Sequence, residues 1–364
     1  MGSESRNRYL LKNTLIFTLG NIGSRMISFF LIPLYTNVLT TSQYGTVDLI
    51  TTISTVAGPM LTLNIAESVM RFGLDKDADK EKNTQCGSIV LLIAMIIGLV
   101  LIPICRCITE VSDYAMYVYF YVISLSASQL FLCDLRGKEL LLKYSLGNIL
   151  QTLMIAILNI TFLLVFKMET GGYLLAYIIA NFIVAIYAII AGKGYKAFSF
   201  HNIDRCKLKE MIRYSVVLIP NTFMWWIMNS SDRVMVTYMI GAAANGIYAV
   251  SYKLPTLVST LTGIFNQAWS YSAIREEGTS DETEYNNKMF KTLSAIAFMM
   301  GIGLLLLTKP FLGVYVADSY YDAWKYTPFL IIGCVYLTLG TFMATSYTVH
   351  KGSFGYLFYG PFGA

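Results

Sequence analysis

Arg25 stands near the middle of an apolar stretch, Leu15 to Leu34, that is long enough to cross a bilayer. A spanning helix takes roughly 20 mostly apolar residues. A charge at its centre costs on the order of 2.5–3.5 kcal/mol to insert, so it faces a polar interior or a polar ligand. Lys253 is a second cation of this kind, far downstream. The chemistry the two offer is electrostatic. Cations held in a low-dielectric zone offset the desolvation of an anion that must pass through it. Their neighbours share that character. Thr14, Thr18, Asn21, Arg25 and Ser28 fall on one helical face. Further stripes hold Asp48, Thr51, Thr55, Gly58 and Thr62, then Thr222, Trp225, Asn229 and Asp232, then Lys253, Thr256, Thr260, Gly263 and Gln267.

In lipid such a stripe faces something other than hydrocarbon, and two readings stand. Ser, Thr and Gly let backbones approach and hydrogen-bond, which makes the stripe helix–helix glue. Alternatively Arg25 and Lys253 meet an anionic substrate in a water-filled cavity, with Asn21, Thr55 and Gln267 lining the polar space beside it and Asp48 as the competing internal partner. Lys253 could also snorkel outward to the interface. Glu67 and Arg71 lie one turn apart, compatible with an intrahelical pair. Asp232-Arg233 closes the outer end of its helix. Each of these pairs is either an interfacial anchor or a gate on one side of a cavity.

The elements that must position these side chains follow from hydropathy. Hydrophobic residues make up 55% of the chain and charged residues 13%, about half the charged share of a soluble domain. The length criterion places about ten spanning helices, near 13–37, 46–70, 86–105, 114–133, 145–166, 172–192, 213–232, 243–269, 289–308 and 325–348. The expected fold is an all-α polytopic membrane protein. Lys and Arg crowd one set of loops, from Arg6 and Arg8 through Arg71, Lys80, Arg136, Lys143, Lys193 and Lys207, and are sparse on the other. That asymmetry puts the N-terminus in the cytoplasm. Tyr114, Tyr117, Tyr119, Tyr320, Tyr321 and Trp324 read as outer interfacial anchors. The first apolar block is too long, and too interrupted by Arg25, for a cleavable signal peptide.

The longest inner linker, Lys193 to Arg213, divides the chain into a six-helix lobe, residues 1–200, and a four-helix lobe, residues 201–349, with a short non-spanning tail at 350–364. An internal echo agrees: Tyr44-Gly45-Thr46-Val47 opens the second helix and Asn245-Gly246-Ile247-Tyr248 the eighth. The six cysteines lack zinc-site spacing and there are only two histidines, so neither metal nor other cofactor is expected. There is no phosphate loop, nucleophile elbow or helical H-E-x-x-H. Catalysis is not expected.

From the seventh helix onward the sequence becomes specific. Leu218-Ile219-Pro220-Asn221, Ser230-Ser231-Asp232-Arg233, Gly246-Ile247-Tyr248, Lys253-Leu254-Pro255 and Phe265-Asn266-Gln267-Ala268-Trp269 follow in order, with Leu39 through Tyr44-Gly45 at the start. Over roughly Asn13 to Tyr347 the chain resembles the Wzx/RfbX-type polysaccharide-biosynthesis flippases. Their superfamily includes multidrug and toxin extruders and the lipid II flippase. The resemblance implies two six-helix lobes forming a V around a cationic cavity, with alternating access. The implied cargo is an undecaprenyl-pyrophosphate-linked oligosaccharide for capsule, O-antigen or exopolysaccharide, moved from the cytoplasmic to the outer leaflet of a bacterial inner membrane. Arg25 and Lys253 match the cavity-lining basic residues of the lipid II branch, with lysine in place of arginine at the second. Implied partners are that lipid-linked substrate, membrane lipid, and polysaccharide polymerase and co-polymerase proteins; no nucleic acid is implied. The sequence departs from the family at its end, where the second lobe is short of at least two helices. The rival functions are a cation-coupled multidrug extruder of the same superfamily and a non-transporting membrane scaffold of a polysaccharide assembly complex.

Overall fold

A computed structural model describes residues 27–75, 78–106, 111–198, 204–276 and 282–349, and all regular structure in them is helical. Two interruptions matter most for function, and both have local causes. Thr40 starts helix α2, Thr41–Leu61, through a capping box in which Thr40 and Gln43 satisfy each other's backbone amides. Near its far end Pro59 removes a helix hydrogen bond and crowds the preceding turn. Leu63 and Asn64 then take left-handed conformations, with φ of 52° and 54°, a region that asparagine tolerates and leucine does not. The chain turns by 60° into α3, Ile65–Gly73. What the sequence offers as one helix over 46–70 is a broken span.

The second interruption splits the expected helix over 243–269 into α9, Ala242–Ser251, and α10, Pro255–Glu276. Pro255 opens α10 at a position where its missing N–H costs little. The Ser251 carbonyl, which an amide at 255 would have bonded, accepts instead from Thr327 Oγ1 at 3.2 Å. Lys253 therefore sits in the turn between two helices rather than midway along one.

The remaining elements are α1, Ile32–Val38; α4, Lys80–Arg106; α5, Ala115–Gly137; α6, Leu141–Ile160, continued by a π turn; α7, Glu169–Ala191; α8, Arg205–Met239; α11, Glu282–Tyr315; and α12, Thr327–Val349, preceded by a 3-10 segment, Asp318–Lys325. Among the described residues five spans (α4, α5, α6, α7 and α11) are long and apolar enough to cross a membrane. The bent pairs α2–α3 and Asp318–Lys325 with α12 bring the number to seven. The other three expected spans are the first, which begins outside the described residues, and the polar α8 and broken α9–α10. The chain is a multi-pass membrane protein.

Helix α8 runs antiparallel along α2 and α3, tied by polar contacts at four levels. Ser68 Oγ donates to the Met211 carbonyl at 2.9 Å and Asn64 Nδ2 to Thr222 Oγ1 at 3.2 Å. Trp226 Nε1 donates to the Thr52 carbonyl at 2.9 Å, and Arg233 pairs with Asp48. A buried clamp gathers α4, α5 and α7 at the Gly137 end. There Asp134 accepts from Thr84 Oγ1 at 2.5 Å and Lys138 Nζ at 2.6 Å, and Lys138 also reaches the Gly192 carbonyl at 2.9 Å. With every partner supplied, such a buried pair is tolerated in apolar surroundings.

Candidate functional site: a charged junction and a polar cavity

The two echoed motifs of the sequence meet in space. A Cβ added to Gly45 would lie 1.8 Å from the Ala242 carbonyl oxygen, and one on Gly246 would lie 2.0 Å from that of Thr41. Only glycine allows helix backbones to cross so closely. Asn245 seals the crossing by donating to the Gly45 carbonyl at 2.9 Å.

One turn deeper lies the charged centre. Arg233 Nη1 of α8 is 2.9 Å from Asp48 Oδ1 of α2, with side chains 20% and 7% exposed. Asn245 Nδ2 approaches the other Asp48 oxygen at 3.4 Å. The Arg233 guanidinium lies 5.3 Å from the centre of the Tyr252 ring, a cation–π contact. Asp232 accepts from the Tyr248 hydroxyl and from the Arg233 amide. Half-buried Lys253 lies within the electrostatic field of Asp48 and Arg233, yet forms no salt bridge among the described residues. Among the described residues, Arg233 Nε and Asn245 Oδ1 are buried without a hydrogen-bond partner. The network is incompletely satisfied, which is costly at a buried site.

This end is closed further by aromatics. Tyr320 donates to the Leu39 carbonyl at 2.9 Å and Tyr315 to that of Phe29 at 2.6 Å. Towards the opposite end, the α2–α3 break opens a cavity of about 780 Å³ between α3, α5, α6 and α8. Asn64, Glu67, Gln129, Asn148, Gln151 and Asn221 line it, and Glu67 is its one charged group among the described residues.

The sequence-derived site residues are thus redistributed. Arg25 and Asn21 lie outside the described residues, and Gln267 lies in α10 without a described side chain. Thr55 is exposed, its hydroxyl turned back to the Thr52 carbonyl at 2.7 Å. Arg71 pairs with Asp75 at 2.6 Å, and among the described residues it forms no ion pair with Glu67, which lines the cavity. Asp232 and Arg233 act with different partners. Asn245, Tyr248, Tyr252, Gln129 and Asn148 were not singled out. The echo around Gly246 pointed at the first two, and an amide inside an apolar block pointed at Gln129.

The family model described as polysaccharide biosynthesis protein matches residues 10–271. The chain belongs to that family. No curated protein matches it. Its fold is that of known transporters. An inward-facing multidrug-resistance MATE transporter of the MOP superfamily superposes with a TM-score of 0.64 at 11% identity, covering 95% of this chain and 87% of that one. An outward-facing MATE transporter gives 0.59 at 14% identity, with 93% and 81% covered. A Pyrococcus furiosus MOP-superfamily transporter described as having a binding pocket of reversed polarity gives 0.57 at 13%, again with 93% and 81% covered. The chain thus joins membership of the polysaccharide biosynthesis family to a helical fold shared with these transporters.

Proposed function

We propose that the protein flips an undecaprenyl-pyrophosphate-linked oligosaccharide from the cytoplasmic to the outer leaflet by alternating access. The observation that carries this reading is the charge balance at the junction. Asp48 is matched by Arg233 and Asp232 is held by Tyr248, which leaves Lys253 a half-buried cation with no salt-bridge partner among the described residues. A cation in that position is stabilised by a pyrophosphate. Arg25 would supply a second charge from the first helix. Family membership supports the saccharide half of the substrate. The Glu67 carboxylate favours a second reading, a cation extruder, but the other described residues lining the cavity it faces are neutral.

The reading places the Thr40 end outside and the Gly137 end, with Arg136, Lys138, Lys143, Lys193 and Lys196, in the cytoplasm of a bacterial inner membrane. Contacts that close the outer end and a cavity towards the inner end suit an inward-open stage of the cycle. Single cysteines at Ser112 and Tyr195, in a cysteine-free background, are expected to react with an impermeant maleimide from opposite faces. Equal reaction from one face overturns the orientation.

Function is tested by surface polysaccharide in cells that depend on this chain for it. Arg25→Ala and Lys253→Ala are expected to abolish the polymer, while Arg25→Lys retains part of it because charge counts for more than shape. Full polymer from both alanine variants at normal expression sinks the anion-binding role.

A further inference from the structure

The cavity between α3, α5, α6 and α8 has its own chemistry. By rise per residue, Gln129 lies about 12 Å along α5 from Gly137, Asn148 about 10 Å from the start of α6, and Asn221 about 24 Å from the start of α8. Gln129 and Asn148 thus lie well inside helices long and apolar enough to cross a membrane, and Asn221 lines the same cavity from α8. None of their side chains makes a hydrogen bond among the described residues, and Gln129 and Asn221 are exposed. An unpaired amide against hydrocarbon costs several kcal/mol, so this surface faces water or a polar ligand.

The ligand class follows from donors and acceptors. An amide offers both, as does a sugar hydroxyl, whereas a phosphate only accepts. Among the described residues no Lys or Arg lines the cavity, and the Glu67 carboxylate repels anions. The volume of about 780 Å³ lies within the range of small-ligand sites. We propose that this cavity is the saccharide subsite, in which Gln129, Asn148 and Asn221 read the hydroxyls of an uncharged sugar and Glu67 excludes the pyrophosphate. This rests on the flippase reading and separates the two halves of its substrate. From Thr222 at the cavity to Arg233 at the junction is about 16 Å along α8, so one extended substrate occupies both.

Cys133 lines the cavity and serves as the reporter. In the full chain with Cys86, Cys105, Cys107, Cys206 and Cys334 replaced by alanine, the rate of maleimide labelling at Cys133 is followed together with thermal unfolding. The probes are the lipid-linked oligosaccharide fraction extracted from the producing cells and sugar-free undecaprenyl pyrophosphate. The oligosaccharide lipid is expected to slow labelling about threefold at twice its dissociation constant. The sugar-free lipid should raise the unfolding temperature without protecting the thiol. Gln129→Leu with Asn148→Leu is expected to remove protection and keep that thermal shift. Equal protection by both lipids overturns the subsite, as does a thermal shift from the oligosaccharide lipid with no protection. If neither lipid shifts unfolding, the flippase reading itself fails and the subsite with it.

Discussion

Gly246→Ala and Gly45→Ala are each expected to destabilise the protein severely and to abolish transport. The added methyl would lie 2.0 Å from the Thr41 carbonyl oxygen in one case and 1.8 Å from that of Ala242 in the other. The obstacle is helix backbone, so it cannot swing aside as a side chain would. Overpacking of a tight core typically costs 1–3 kcal/mol and occasionally more, and we expect the upper end, about 3 kcal/mol, because a whole helix has to shift. In detergent this reads as a fall in unfolding midpoint of about 4 °C. Gly263→Ala is the matched control. Its added Cβ meets nothing within 4 Å, and replacing a helical glycine by alanine is favourable by up to about 1 kcal/mol. Equal midpoints for Gly246→Ala and Gly263→Ala would show that α2 and α9 do not cross there.

The second large effect is at the junction pair. Arg233→Gln strands the Asp48 carboxylate, and Asp48→Asn strands the guanidinium beside Lys253, a like charge. Breaking a buried pair from one side costs about 3–5 kcal/mol, whereas removing both charges is often close to neutral. The double variant is therefore expected to recover at least half of the stability that either single variant loses. A double-mutant cycle measures this directly. A coupling energy near zero would mean that the 2.9 Å contact does not hold the two helices together. Transport should not recover with stability, because the double variant changes the field around Lys253 that the proposed pyrophosphate meets.

These predictions rest on different levels of information. Hydropathy and the sparse charges were sufficient for the membrane class, since burying twenty apolar residues in lipid is a local property of each block. The motif series from Leu218 to Trp269 was likewise sufficient for the family, because it is carried by residue identity. Helical periodicity also put Asp48, Thr222 and Lys253 on polar faces. Periodicity cannot tell which other face each one meets. Arg233 reaches Asp48 across 185 residues, and Asn245 reaches Gly45 across 200. Both contacts are set by how α2, α8 and α9 cross, and that depends on backbone approach at Gly45 and Gly246. The two helix breaks were half legible. Pro59 and Pro255 were visible, but a proline inside an apolar block reads equally as a kink tolerated in a membrane helix. Whether it breaks the span depends on what satisfies the freed carbonyl, and Thr327 is 76 residues away from Ser251. The cavity was the least legible feature. Gln129, Asn148 and Asn221 come from three helices, and each alone looks like an isolated amide in an apolar block. Only the 60° turn between α2 and α3 leaves the space that brings them to one surface. The sequence by itself thus determined the class, the family and which residues are costly to place in lipid. The tertiary structure decided which of those costs are paired off within the protein and which are left facing a ligand.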